Sequence, residues 1–131
     1  WNIKRVKPSQ AIYEGGLMGY TNYWHHNKSF TDNEWKLIKD EYEYIKEMCE
    51  GIIIDESEKN CDEIVFNGKG DLSHETFILC KTPRTKETYK GEDITFNFCK
   101  TARKPYDIAV WHMLFFTKNK TNGLSKISRD W

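Results

Sequence analysis

The stretch Phe98-Cys99-Lys100-Thr101-Ala102-Arg103-Lys104-Pro105-Tyr106-Asp107 reads as a strand running into a helix through a short basic joint. On its N-terminal side Ile94, Phe96 and Phe98 alternate with Thr95, Asn97 and Cys99, the period of two that marks a strand with one buried face. On its C-terminal side Pro105 suits the first position of a helix, where a missing N–H costs nothing, and Asp107 falls in the first turn, where a carboxylate complements the dipole. A helix N-terminus offers unpaired backbone N–H groups and the positive end of that dipole. Lys100, Thr101, Arg103 and Lys104 are therefore the expected anion-binding residues, with phosphate preferred because the planar Arg103 fork matches phosphate oxygens and the lysines add charge. Two readings compete: a solvated basic turn, and an internal Asp107–Arg103 pair that spends the site within the fold.

Working outward, the segment from Ile108 to Phe116 is apolar nearly all round apart from His112. A helix over 105–118 should then be covered on two sides, by this chain or by another. Thr31 and Glu34 make a capping box, with Phe30 and Trp35 as its hydrophobic staple. Trp35, Ile38, Tyr42, Ile45 and Cys49 recur at helical spacing, opposite Lys36, Lys39, Asp40, Glu43, Lys46 and Glu47, and Gly51 ends a helix over 31–50.

Strands are expected over 17–26, 52–55, 63–66, 75–81, 94–99 and 125–128, with residues 82–93 as a polar loop and 1–16 as a basic N-terminal arm or edge strand. The resulting fold is α+β, a single domain over 1–131 in the order β-α-β-β-β-β-α-β: one mostly antiparallel sheet, with both helices on the face bearing Ile94, Phe96 and Phe98. That two-layer sandwich leaves a second face, carrying Tyr23 and His25, for stacking or self-association.

Asn67-Gly68-Lys69-Gly70-Asp71 is turn chemistry, since Asn and Gly accept positive φ. Two glycines around a lysine also permit a phosphate to approach, so Asn67 and Lys69 join the binding candidates, although the spacing is not that of a P-loop. His74 and Glu75 are the catalytic candidates. On a strand adjacent side chains point apart, so the two could cooperate only in a loop conformation, whereas His74 at the strand start, near Asn67 and the joint, could act as general acid or base on a phosphoester. His25 and His26 likewise point apart, His112 lies in the apolar helix, and no nucleophile or metal-binding motif accompanies any of them.

The chain carries 20 basic and 20 acidic residues, unevenly divided: residues 1–80 hold 9 Lys and Arg against 15 Asp and Glu, residues 81–131 hold 11 against 5. A shared basic surface, with Lys81, Arg84 or Lys126 joining the joint, would bind an anionic partner. Otherwise the halves neutralise each other within the fold or across a self-association interface. Cys49, Cys61, Cys80 and Cys99 include no C-x-x-C pair and no histidine at ligand spacing, so they read as reduced structural thiols, with no metal and no cofactor expected. The longest apolar run is too short to span a bilayer and no signal-peptide pattern stands out, which leads to a cytoplasmic, non-membrane protein as the expectation.

Phe66-Asn67-Gly68-Lys69-Gly70, His74-Glu75-Thr76-Phe77 and Phe98 to Asp107 resemble motifs of a family of small proteins from bacteriophages and large DNA viruses that has no assigned activity. The resemblance spans roughly residues 20–131 and implies an origin, not a mechanism. Relatives end in a Ser-Ser-Asp-Gly-like stretch where this chain reads Ser128-Arg129-Asp130-Trp131. The residues thus predict a non-catalytic protein that recognises a nucleotide or nucleic acid through the joint. The alternatives are an interaction subunit of a viral or host assembly, meeting a protein partner or a second copy, and a phosphoester-processing enzyme using His74.

Overall fold

A computed structural model of the chain describes residues 19–84, 87–89, 92–94 and 96–130, the side chains of 87–89 and 92–94 excepted. The expected N-terminal arm lies outside the described residues. In chain order the elements are β1 (Thr21–His26), α1 (Asp32–Met48), β2 (Ile53–Asp55), β3 (Glu63–Gly68), a 3-10 turn (Gly70–Leu72), β4 (Phe77–Cys80), β5 (Glu87–Tyr89), β6 (Glu92–Ile94), β7 (Phe96–Lys100), α2 (Asp107–Lys120) and β8 (Leu124–Asp130). The class is α+β and the expected succession of strands and helices is found, with an antiparallel β5–β6 pair added that begins in the expected polar loop and ends at Ile94.

The strands divide between two three-stranded sheets and the separate β5–β6 pair instead of forming one sheet. β1 is the centre of β7-β1-β8 and β3 the centre of β2-β3-β4, every pairing antiparallel. Alternation in a sequence specifies which side chains share a face and leaves partner choice open. Here β2, β3 and β4 pair with their sequence neighbours, while β1 pairs with the two strands nearest the C-terminus. The inner faces meet where Trp24 of β1 packs on Phe77 of β4, ring centroids 5.3 Å apart, and the Glu75 N–H donates across to the Lys100 carbonyl (3.2 Å).

Helix α1 forms as its caps dictate. The Thr31 hydroxyl accepts from the Glu34 N–H (3.1 Å) while Glu34 Oε1 accepts from the Thr31 N–H (2.9 Å), and Phe30 stacks on Trp35 at 6.1 Å. Trp35, Ile38, Tyr42, Ile45 and Cys49 are buried along one stripe, and Tyr42 stacks on Phe66 of β3 at 5.5 Å. Glu41 is buried beside that stripe, its Oε2 2.6 Å from His112 Nε2 on α2. That pair fastens the two helices together.

Helix α2 begins at Asp107, two residues later than Pro105 suggests. The joint winds in three-residue turns before the α-helix starts: Lys104 N–H to Thr101 carbonyl (2.9 Å), Asp107 N–H to Lys104 carbonyl (3.0 Å), Ile108 N–H to Pro105 carbonyl (3.3 Å). Ala109, Val110, Met113, Leu114 and Phe116 are buried and Trp111, His112 and Phe115 half-buried. α1 covers one side of α2 and the β1–β8 pair the other, so this chain supplies the second cover by itself.

The buried face of β7 is the reverse of the expected one. Register sets Phe98 opposite Tyr23 and Cys99 opposite Asn22, so Trp24, the bulkiest side chain of β1, turns inward together with Cys99, while Phe96 and Phe98 turn outward. Phe96 is 37% exposed and Phe98 51%, against 0% for Cys99. The sulfur chemistry of the core follows: burial pushes the Cys49 and Cys99 thiols up to about 12, which keeps both protonated and unreactive, and all four cysteines are free.

His26 is a buried group whose titration couples stability to pH. Its ring stacks on Phe30 at 4.7 Å, and burial holds the imidazole down at about 4, with a backbone hydrogen bond at Lys28 pulling weakly the other way. The folded pKa lies below the unfolded value, so as pH falls below about 6.5 the unfolded chain takes up a proton that the folded chain refuses. Stability should be fully present above that pH and decline until about pH 4. Urea midpoints measured across this window should slope downward in the wild type, and the slope should flatten in His26→Phe.

Candidate functional site

The joint between β7 and α2 folds around an anion that the chain already contains. Asp107 is fully buried, and four groups converge on its carboxylate. The Gly19 N–H (2.7 Å) and the Arg129 guanidinium reach Oδ2, and the Asn22 amide (2.6 Å) and Thr101 hydroxyl (2.7 Å) reach Oδ1. Asp107 thus pairs with Arg129 of β8 and not with Arg103. Arg129 in turn lies 4.8 Å over the Trp111 ring.

The backbone donors that an anion cradle needs are taken. Lys100 N–H donates to Glu75 Oε1 (2.7 Å), Thr101 and Ala102 N–H both to the Tyr20 carbonyl (2.9 and 3.0 Å), Arg103 N–H to the Gly19 carbonyl (3.2 Å) and Lys104 N–H to the Thr101 carbonyl (2.9 Å). Thr101 is fully buried and has no surface to offer a ligand. What the joint presents outward is side chains. Lys100 and Arg103 are exposed, and the Arg103 guanidinium lies 5.6 Å over the half-exposed Tyr20 ring. Lys104 is half-buried and donates to the Asp71 carbonyl (3.0 Å), tying the joint to the 3-10 turn. Ala102 and Arg103 hold φ of 52° and 58°, consecutive left-handed residues that each cost about 1–2 kcal/mol and persist because the Tyr20 and Gly19 carbonyls bind their N–H groups.

Asn67, Lys69, His74 and Glu75 come to the same end of the molecule, with different roles. Asn67 is a staple: its Oδ1 accepts from the Gly68 and His74 N–H groups (2.7 and 3.0 Å), and its amide donates to the His74 carbonyl (3.0 Å) and Thr76 hydroxyl (3.3 Å). Gly68 is obligatory there, because a Cβ would lie 1.9 Å from the Leu72 carbonyl oxygen. Lys69 and His74 are exposed. Glu75 spends its carboxylate on the Lys100 N–H, and its carbonyl accepts from the Tyr106 hydroxyl (2.6 Å). His74 and Glu75 precede β4 on a loop, and the Glu75 carboxylate there is held by the Lys100 N–H.

The outer face of β7-β1-β8 carries a run of rings that the reversed β7 creates. Phe96 packs against Tyr23 at 5.9 Å, His25 at 5.4 Å and Phe98 at 6.1 Å. Register puts Lys126 opposite His25 and Lys100 opposite Thr21, so exposed cations stand at both ends of the aromatic run. Asp130, at the β8 corner, accepts from the Thr21 N–H (2.6 Å) and the Tyr23 hydroxyl (3.1 Å), which fixes the Tyr23 ring. Tyr23 and His25 were legible as this face; Phe96 and Phe98 were not, because Asn97 and Cys99 alternate with them without declaring which set is inward. Lys81 lies elsewhere, paired with Asp32, and Arg84 is exposed beyond β4.

A separate shallow cleft of about 370 Å³ lies between α1 and the β2–β3 edge, where Tyr42 donates to Asp55 (2.6 Å) and Lys46 pairs with Glu43 (2.8 Å). Its charges are of both signs. Among the described residues no three His, Cys, Asp or Glu side chains gather as metal ligands, and no helix is long and apolar enough to cross a membrane.

Removing one partner of a buried ion pair costs far more than trimming a surface cation. Asp107→Asn should lower unfolding free energy by about 3 kcal/mol in urea titration, and Arg103→Ala by under about 0.5 kcal/mol. Equal losses would mean that the two arginines share the carboxylate.

No protein-family model matches the chain, and neither the curated proteins nor the solved structures contain a significant match to it.

Proposed function

We propose that the protein is a non-catalytic binding module for a phosphate-bearing ligand, a nucleotide or nucleic acid, held by the side chains of Lys100 and Arg103. The observation that carries this reading is the pairing of those two exposed cations with an adjoining face of exposed aromatic rings. Phosphate contact through flexible cations needs no free backbone N–H, so the occupied donors of the joint do not oppose it. They hold the strained Ala102–Arg103 turn in one conformation and so fix where Arg103 leaves the surface. Lys69, exposed near the same end, extends the positive surface at little geometric cost. The viral or phage origin implied by the sequence motifs suits a small module of this type.

A protein-partner reading has one observation in its favour, the 51% exposure of Phe98, and salt dependence separates the two. Counterion release makes phosphate contacts weaken steeply as salt rises, at about 0.7 in log–log slope per phosphate on a single strand. A labelled oligonucleotide titrated at several salt concentrations should show such a slope. The Lys100→Ala/Arg103→Ala double variant should keep its fold and lose about 1.4 from the slope, two phosphates' worth. Affinity that ignores salt, or no affinity in a folded wild type, would overturn the phosphate reading and leave the protein partner.

A further inference from the structure

We infer that the ligand is specifically single-stranded nucleic acid, with unpaired bases stacked on Phe96 and Phe98 and the sugar-phosphate backbone passing along β7 toward Lys100 and Arg103. This rests on the phosphate reading above and adds to it a second contact of different chemistry, the base face.

Four observations converge. Phe96 and Phe98 stand outward from a sheet at 37% and 51% exposure. They are not isolated: Tyr23 and His25 back Phe96 at 5.9 and 5.4 Å, and the Tyr23 hydroxyl is held by Asp130, so the rings form a supported surface that loses little freedom on binding. The flanks are cationic where a backbone would run, with Lys100 and Arg103 at one end and Lys126 at the other. Among the described residues the carboxylates near the rim are already hydrogen-bonded: Asp130 on the β8 side accepts from Thr21 and Tyr23, and Glu75 accepts from the Lys100 N–H.

Spacing selects the form of nucleic acid. The Phe96 and Phe98 centroids are 6.1 Å apart. Stacked bases in a duplex rise about 3.4 Å, so two neighbouring bases cannot remain stacked on each other and also seat one on each ring. The strand must be extended and its bases unpaired, because in a duplex the base faces are covered by their neighbours. An aromatic face of this kind accepts every base, so the expected recognition tolerates sequence.

Fluorescence anisotropy with labelled oligothymidylate, oligouridylate and a duplex of equal length tests this on the whole chain. The expected result is that one or both single strands bind more tightly than the duplex, the better of the two naming DNA or RNA. Phe96→Leu/Phe98→Leu, which keeps apolar surface and removes the π faces, should weaken single-strand binding roughly tenfold or more with the salt slope unchanged. Phe98→Leu alone carries the same test if the double variant loses its fold. Wild-type affinity in these variants, with the salt slope intact, would overturn base stacking while leaving phosphate binding in place, and so would duplex binding as tight as single-strand binding. Absence of salt-sensitive binding to all three probes would overturn both readings together.

Discussion

The Asp107 carboxylate is the interaction on which the rest of the structure depends. Its four partners come from the chain just before β1, from β1 itself, from the joint after β7 and from β8, so a single buried charge registers the three strands of one sheet against the start of α2. A buried carboxylate without partners would be prohibitively costly; with three hydrogen bonds and a guanidinium its lone pairs are satisfied and the geometry around it is close to unique. The outward turn of Phe96 and Phe98 follows from the same arrangement. Asn22 must point inward to reach Asp107, and Cys99 opposite Asn22 must then point inward as well.

The basic joint encloses an anion that is covalently part of the chain, and of its four expected anion-binding residues only Thr101 touches that carboxylate. A sequence reading identifies the cluster from residue types at short range. It cannot see Gly19, Asn22 and Arg129, which arrive from far along the chain and complete the shell. With those donors committed, the surface value of the joint passes to the outward side chains of Lys100 and Arg103.

Local signals were legible to the extent that their physics is local. The capping box of Thr31 and Glu34, the apolar stripe from Trp35 to Cys49 and the order of strands and helices all follow from neighbours a few residues apart. Non-local choices were not. Nothing in the alternation of Phe96, Asn97 and Phe98 says which side meets Trp24, and nothing in the spacing of Pro105 says that the chain winds through three-residue turns before α2 begins. Glu41 was hidden for a related reason: a carboxylate on the flank of an amphipathic helix reads as solvated unless the opposing His112 is known. Asn67 was read as a turn former with ligand potential and is a turn former whose polar atoms are all spent on it.

The place of β1 at the centre of its sheet has a consequence for how the molecule comes into being. Thr21 pairs with Lys100 on one side and with Asp130 on the other, so the earliest described strand has no sheet partner until β7 has been synthesised. β2, β3 and β4, by contrast, pair through short connections and can assemble under α1 while the remainder is still emerging. Long-range pairings are slow because loop closure precedes any reward in contacts. During that interval Tyr23, Trp24 and the unpaired edges of β1 stand open, and the stage most exposed to misassociation is the one before β7 and β8 arrive to flank them.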